Sequence, residues 1–202
     1  MKLDHIAKEI RGTLDAKEAV REQALRISRE LVRASGAAVH AIHKRQSPAQ
    51  PLKEAGRLLK KLNAVIEGYP ELEHAGYVES AFQEYSEALL FLAISKGRPL
   101  PLPSALGITP SAYLLGVGDV IGEVRRLFLD SIIGHDVKRA RDLLATMDEL
   151  YHFLMGFDYP SALSDVRRKQ DVARSLLERS RGELAIAVRT TKLERALDAK
   201  PE

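Results

Sequence analysis

Two pairs of carboxylates stand at helical spacing in the middle of the chain. Glu84 and Glu87 lie within Gln83-Glu84-Tyr85-Ser86-Glu87-Ala88, and Asp119 and Glu123 within Gly116-Val117-Gly118-Asp119-Val120-Ile121-Gly122-Glu123. Residues three or four apart on a helix are neighbours on one face, so each pair would present its oxygens together. Neither face reads as plain solvent surface: Tyr77, Ser80 and Phe91 share the first, and Ala112, Leu115, Gly116 and Leu127 share the second. Small residues there let another backbone or a ligand approach closely. Burying uncompensated carboxylates is costly, so basic side chains or a divalent cation must balance them. Hard oxygen donors without cysteine suit Mg²⁺ or Mn²⁺. Such an ion could polarise a phosphoryl oxygen and supply hydroxide for phosphodiester hydrolysis. Glu-x-x-Glu steps are nevertheless common on helices, and spacing alone favours ordinary surface or salt-bridged carboxylates.

The charge distribution frames these pairs. The 202 residues carry a formal net charge of +3, which hides a pattern. Residues 1–50 hold 10 basic and 6 acidic side chains, and residues 161–202 hold 10 and 7. Residues 71–130 reverse the balance, with 4 basic and 8 acidic. Basic ends around an acidic middle fit either packing between oppositely charged helices or a polyanion-binding surface around a carboxylate site. Arg26, Arg29, Arg33, His40 and Lys44 fall on one broad helical face, and Arg125 and Arg126 follow Glu123 directly. A basic stripe is more often a solvated face than a site, but clustered in an oligomer it would bind phosphates.

The elements that must position these residues are helices almost throughout. A first short helix is predicted to end near Gly12, with Asp15 and Glu18 as a capping box opening a second that runs to about Lys44. Ser47-Pro48 breaks the pattern. A third helix is predicted from Pro51 to Gly68, and a fourth from Glu71 to Lys96. Pro99, Pro101 and Pro103 make a stiff extended loop. Thr109-Pro110 caps a fifth helix reaching Gly134. A sixth spans Asp136 to Met155, and the last runs from Pro160 to about Leu197. No strand pattern or internal repeat is present. The expectation is an all-α antiparallel bundle of about seven helices, one domain over residues 1–202.

Composition removes several function classes. A sequence 45% hydrophobic and 29% charged is globular, not disordered. The absence of cysteine excludes a disulfide framework, Cys-ligated metal and cysteine nucleophiles. The longest apolar run, Ala88 to Ile94, is too short to span a bilayer, and the charged start lacks a signal core, so a soluble cytoplasmic protein is expected, with no membrane partner. Glu71 and His74 form one Glu-x-x-His step, without the second that a di-iron bundle needs. No glycine-rich phosphate loop or nucleophile elbow is present.

Dispersed matches in the right order give the chain a resemblance to the translin superfamily. Arg21 to Lys44 resembles the family's opening helix. Gln83 to Ala88 resembles its central acidic motif, and Tyr113-Leu114-Leu115-Gly116 through Glu123, followed by Arg125-Arg126-Leu127, is the most specific match. Arg167-Arg168-Lys169-Gln170-Asp171 resembles the start of the last helix. The branches of the family differ in their acids: translin proper lacks most of the set, whereas Trax carries it. With Glu84, Glu87, Asp119 and Glu123 all retained, the chain resembles an archaeal-type Trax-like protein.

That resemblance implies a translin-like fold of seven helices in a shell-like homo-oligomer, an octamer, with a translin-like subunit as a further partner. It implies an Mg²⁺-dependent (or Mn²⁺-dependent) endoribonuclease acting on single-stranded RNA, with single-stranded DNA as a second ligand. Glu84, Glu87 and Asp119 would hold the metal, and Glu123 would be a fourth ligand or the water-orienting base. Charge placement adds Arg26, Arg29, Arg33, Arg125 and Arg126 as phosphate contacts. The tail beyond Ala185 departs from the family's usual Arg-Gly ending. Two other readings stand beside this one: a non-catalytic translin-like nucleic-acid-binding protein, and an all-α nucleotide pyrophosphohydrolase, whose Glu-x-x-Asp step the Asp119–Glu123 spacing fits poorly.

Overall fold

The computed structural model describes residues 3–161 and 163–198. Eight helices and no strand are found among them, so the all-α expectation holds. Contacts divide the chain into two compact units, Met1–Leu89 and Leu90–Glu202.

The first unit is built on α1 (Leu3–His43), packed against α2 (Ala49–Ile66). The buried face of α1 mixes Ile27 and Leu31 with Ala24, Ser28, Ser35, Ala38 and Ala41. These small residues leave room for the larger Leu58, Leu59, Leu62 and Ile66 of α2. A fully buried leucine or isoleucine contributes roughly 1.5–3 kcal/mol, so this seam is the main stabilising contact between the two helices. A tight turn follows α1, with Arg45 in the left-handed region (φ 55°) and the Gln46 N–H donating to Ala41 O at 2.9 Å.

The predicted break between Gly12 and Asp15 does not exist, and α1 is continuous. Gly costs only about 1 kcal/mol within a helix, and no proline interrupts the stretch. Glu18, expected to cap a new helix, instead accepts from Arg21 Nε at 2.8 Å. The first turns of α1 carry Leu3, Ile6, Ile10 and Leu14 as an exposed apolar stripe. The predicted fourth helix is also divided, into α3 (Pro70–Glu73) and α4 (Gly76–Ser95). The boundary between the two units falls within α4.

The second unit surrounds α6 (Pro110–Ile133), which follows the one-turn α5 (Pro103–Leu106). The proline loop is therefore partly helical where an extended segment was expected. Thr109 caps α6 as predicted, its hydroxyl accepting from Ala112 N–H at 3.2 Å, and Pro110 occupies the first turn. Helix α6 packs on both α7 (Val137–Met155) and α8 (Val166–Asp198), which also pack on each other. Its core residues include Val117, Val120, Ile121, Val124 and Phe128, all fully buried. Helix α8 starts later than Pro160, at Val166. Gln170, inside its first turns, donates from Nε2 to Leu154 O and Phe157 O at 2.8 Å each and so closes the end of α7.

Tyr113 ties the proline loop to α6: its hydroxyl donates to Pro101 O at 2.9 Å. Burial pushes the Tyr113 phenol above its ordinary value. A raised pKa means that stability is fully present below about pH 10, the unfolded value, and is lost as pH rises through the folded value. Stability should therefore begin to fall above about pH 10, and Tyr113→Phe should lower it by about 1 kcal/mol at neutral pH, measured by thermal denaturation.

Candidate nucleic-acid and metal site

Each unit carries one of the two carboxylate pairs. In the second unit, Asp119 and Glu123 lie one turn apart on α6, both half-buried. Gly118 precedes Asp119 and is itself buried, because the stem of Lys169 from α8 lies across it. A Cβ placed on Gly118 would be 2.7 Å from Lys169 Cβ and 2.9 Å from its Cγ. Thus guided, Lys169 Nζ donates to Asp119 Oδ1. The two side chains are only 23% and 26% exposed, which makes this pair stronger than a surface salt bridge.

Arg125 was expected to contact phosphate, but the structure commits it elsewhere. Its guanidinium grips Glu183 of α8 through two parallel bonds, Nη1 to Oε2 at 2.8 Å and Nη2 to Oε1 at 2.9 Å. Nη1 also donates to Ser180 Oγ at 2.5 Å, and the arginine side chain is only 14% exposed. These three bonds all reach into α8, so Arg125 braces the α6–α8 contact. Arg126, one residue on, is exposed.

In the first unit, Glu84 and Glu87 lie one turn apart on α4. Glu87 is only 8% exposed, and Glu84 is half-buried. Tyr85 between them has its phenol pKa raised by burial. The pair thus sits on a largely apolar helix, as its neighbours in sequence implied. On α1, Arg26, Arg29 and Arg33 are exposed at successive turns. They line a surface cleft of about 570 Å³ together with Glu22, Gln23 and Leu25. Three guanidinium groups along one cleft make a cationic track suited to a phosphodiester backbone.

The two side chains of the isolated Glu-x-x-His step turn to other partners. Glu71 binds Lys17 at 2.7 Å, which lowers the Glu71 pKa, and His74 Nδ1 lies 3.4 Å from Glu79.

Among the described residues, no group of three or more His, Cys, Asp or Glu side chains is gathered tightly enough to hold a metal by itself. Mg²⁺ does not require that: it is commonly held by one or two carboxylates, with water and substrate phosphate completing its shell. Each pair supplies such a donor set. The Asp119 carboxylate, moreover, is already paired with the ammonium of Lys169.

Lys169 is the residue that sequence reasoning missed. It lay inside the matched Arg167-Arg168-Lys169-Gln170-Asp171 segment, but nothing in the segment distinguishes it from its basic neighbours. Arg167 pairs with Asp158 at 2.7 Å, and Arg168 is exposed.

A family model described as Translin family matches residues 19–181. The chain belongs to the translin family. All nine sequence-nominated residues and Lys169 lie inside the matched span. An uncharacterized protein of Methanocaldococcus jannaschii is 34% identical over 185 residues, covering 90% of this chain and 82% of the relative. Among solved translin-like structures, a crystal structure of AfC3PO is 35% identical with a TM-score of 0.82, covering 94% of this chain and 98% of that one. A complex of AfC3PO with duplex RNA is 34% identical with a TM-score of 0.80 and the same coverage. Apo-NeC3PO, at 22% identity and a TM-score of 0.71 over 92% of this chain and 97% of that one, shares the fold. Within the translin family, then, the likeness extends over nearly the whole chain.

Proposed function

We propose that this protein is a Trax-like, metal-dependent endoribonuclease that binds RNA through α1 and cleaves it with the carboxylates of α4 and α6. The observation that carries the reading is the complete acidic set, Glu84, Glu87, Asp119 and Glu123, on partly buried helical faces within the family-matched span. A protein that only needed to bind polyanions would be weakened by four acids there, since they repel phosphate. The relative bound to duplex RNA supports RNA as the ligand class. Single-stranded RNA is the proposed substrate, because in a single strand the backbone can bend to bring one phosphate to the acids.

When bound, Mg²⁺ or Mn²⁺ would lower the pKa of a coordinated water and stabilise charge on the scissile phosphate. By the family resemblance, Glu84, Glu87 and Asp119 would be its oxygen ligands and Glu123 would orient the attacking water by accepting its hydrogen bond. In this chain each pair, Glu84 with Glu87 on α4 and Asp119 with Glu123 on α6, is a donor set of its own, which water and substrate phosphate would complete. Arg26, Arg29, Arg33 and Arg126 would hold the flanking phosphates, while Arg125 keeps α6 and α8 in register. The exposed stripe of Leu3, Ile6, Ile10 and Leu14 supports assembly into a homo-oligomer, proposed as an octamer, in which those side chains would leave water. No helix among the described residues is long and apolar enough to cross a membrane, and the proposed location is the cytoplasm.

The test is end-labelled single-stranded and duplex RNA incubated with pure protein in Mg²⁺, Mn²⁺ or chelator. Cleavage that needs the metal supports the reading. Binding without cleavage under any metal favours the non-catalytic alternative, which the internal pairing of Asp119 with Lys169 also suits. Preferred hydrolysis of free nucleoside triphosphates would indicate the pyrophosphohydrolase. Replacing Arg26, Arg29 and Arg33 together with Gln should remove about three phosphate contacts. The slope of log K against log salt should then flatten by about 2 for a single strand, measured by fluorescence anisotropy.

A further inference from the structure

The amine on Asp119 raises a question that the metal reading leaves open: what occupies this carboxylate before an ion arrives? We propose that Lys169 is a resident counter-cation, seated by Gly118, which a divalent ion must displace from Asp119. Lys169 thereby sets the affinity of the α6 carboxylates for metal. This inference rests on the metal-dependent reading above.

Three observations carry it. Lys169 Nζ bonds Asp119 Oδ1 directly, from one helix to another and between residues 50 apart in sequence. The lysine stem is held by packing, with Cβ, Cγ and Cδ all on the face of Gly118 within 3.0 Å of where a Cβ would be. The helix that carries it is fixed on either side, by buried Val166 and Ala173 and by Gln170 bonded to α7. A surface lysine would be disordered by its own rotamer entropy. Lys169 has already lost much of that freedom, so its amine returns to one place.

The ammonium and a divalent ion compete for the same oxygen. An ion on Asp119 would lie beside an ammonium hydrogen-bonded to the same carboxylate. Their repulsion in a half-buried site is screened less than in open water. Because the stem is pinned through Cδ, only the terminal carbon and amine can swing away, so the displaced charge stays beside the site. It would then face the phosphate that the ion draws in. Such an exchange keeps the site near electrical balance when empty and adds one donor for the anion when filled.

The experiment is Mn²⁺ binding to the whole protein, followed by calorimetry and by loss of the free-ion electron paramagnetic signal, for wild type, Lys169→Met, Lys169→Arg and Asp119→Asn. Lys169→Met should bind Mn²⁺ about tenfold more tightly, and its melting temperature should rise more on adding Mn²⁺. Lys169→Arg, which keeps the charge, should stay near wild type. Lys169→Gln serves if the methionine variant does not fold. If Asp119→Asn loses Mn²⁺ while Lys169→Met and Lys169→Gln bind like wild type or more weakly, the counter-cation role is overturned and the metal reading stands. If Asp119→Asn binds as wild type does, or if neither wild type nor the lysine variants bind Mn²⁺, the metal reading fails and takes this inference with it.

Discussion

Asp119→Asn should reduce metal-dependent RNA cleavage by about 100-fold or more, since removing even the outer contacts of a metal ligand costs about 10–100-fold. Asparagine has nearly the same shape as aspartate and can accept from Lys169 Nζ through its carbonyl oxygen, so the α6–α8 contact should persist. What disappears is the negative charge, and with it the hard anionic oxygen. RNA binding in chelator should stay within a few-fold of wild type, since Arg26, Arg29 and Arg33 lie on α1 in the other unit. Glu84→Gln should behave the same way from α4. The readout is single-turnover cleavage of labelled RNA beside anisotropy binding on the same preparations. Cleavage that survives both substitutions would point to a contaminating nuclease and remove the catalytic proposal.

Two glycines on α6 should respond to alanine with opposite signs. At Gly118 the added methyl group meets Lys169 Cβ at 2.7 Å and Cγ at 2.9 Å. A Cβ position is set by its own backbone, so the lysine cannot rotate out of the way. Either α8 shifts off α6 or the helices distort. Overpacking of this kind costs about 1–3 kcal/mol, while alanine returns about 1 kcal/mol in helix propensity. With both Cβ positions fixed by their backbones, the cost falls at the upper end, about 2–3 kcal/mol, so Gly118→Ala should lose about 1–2 kcal/mol, a drop of roughly 2–8 °C in melting temperature for a chain of this size. Gly122 has nothing within 4 Å of its would-be Cβ, so Gly122→Ala should gain up to about 1 kcal/mol. Thermal unfolding of the two variants side by side checks the pair. A neutral or stabilised Gly118→Ala would show that α8 is not held on α6 as described.

Helix boundaries were legible wherever the chain punctuates itself. Pro48 and Gly68 bracket α2, Thr109-Pro110 and Gly134 bracket α6, and Asp136 and Gly156 bracket α7. Each of these signals acts through the backbone of its own few residues, so no tertiary information was needed. The misreadings came where local signals were weak. Gly12 with Asp15 and Glu18 looked like an end and a beginning, yet Glu18 is taken by Arg21 and the helix continues. Between Glu73 and Gly76 the chain turns out of helix without a proline to announce it.

The carboxylate pairs were legible for the same local reason: a spacing of three or four residues defines a shared helical face whatever the rest of the fold does. The arginines were legible as charge but not as function. Arg125 and Arg126 are adjacent and identical in type, yet Arg125 is locked to Glu183, 58 residues away, while Arg126 faces solvent.

By itself, then, the sequence determined the all-α class, the caps, the acidic faces and the cationic track, all properties carried by residues within a turn or two of one another. Only the tertiary structure decided which charges cancel. The pairing of Lys169 with Asp119 and of Arg125 with Glu183 depends on how closely α8 lies against α6. That distance is set by side-chain volumes along the whole seam, down to the missing methyl group of Gly118, and no local pattern encodes it.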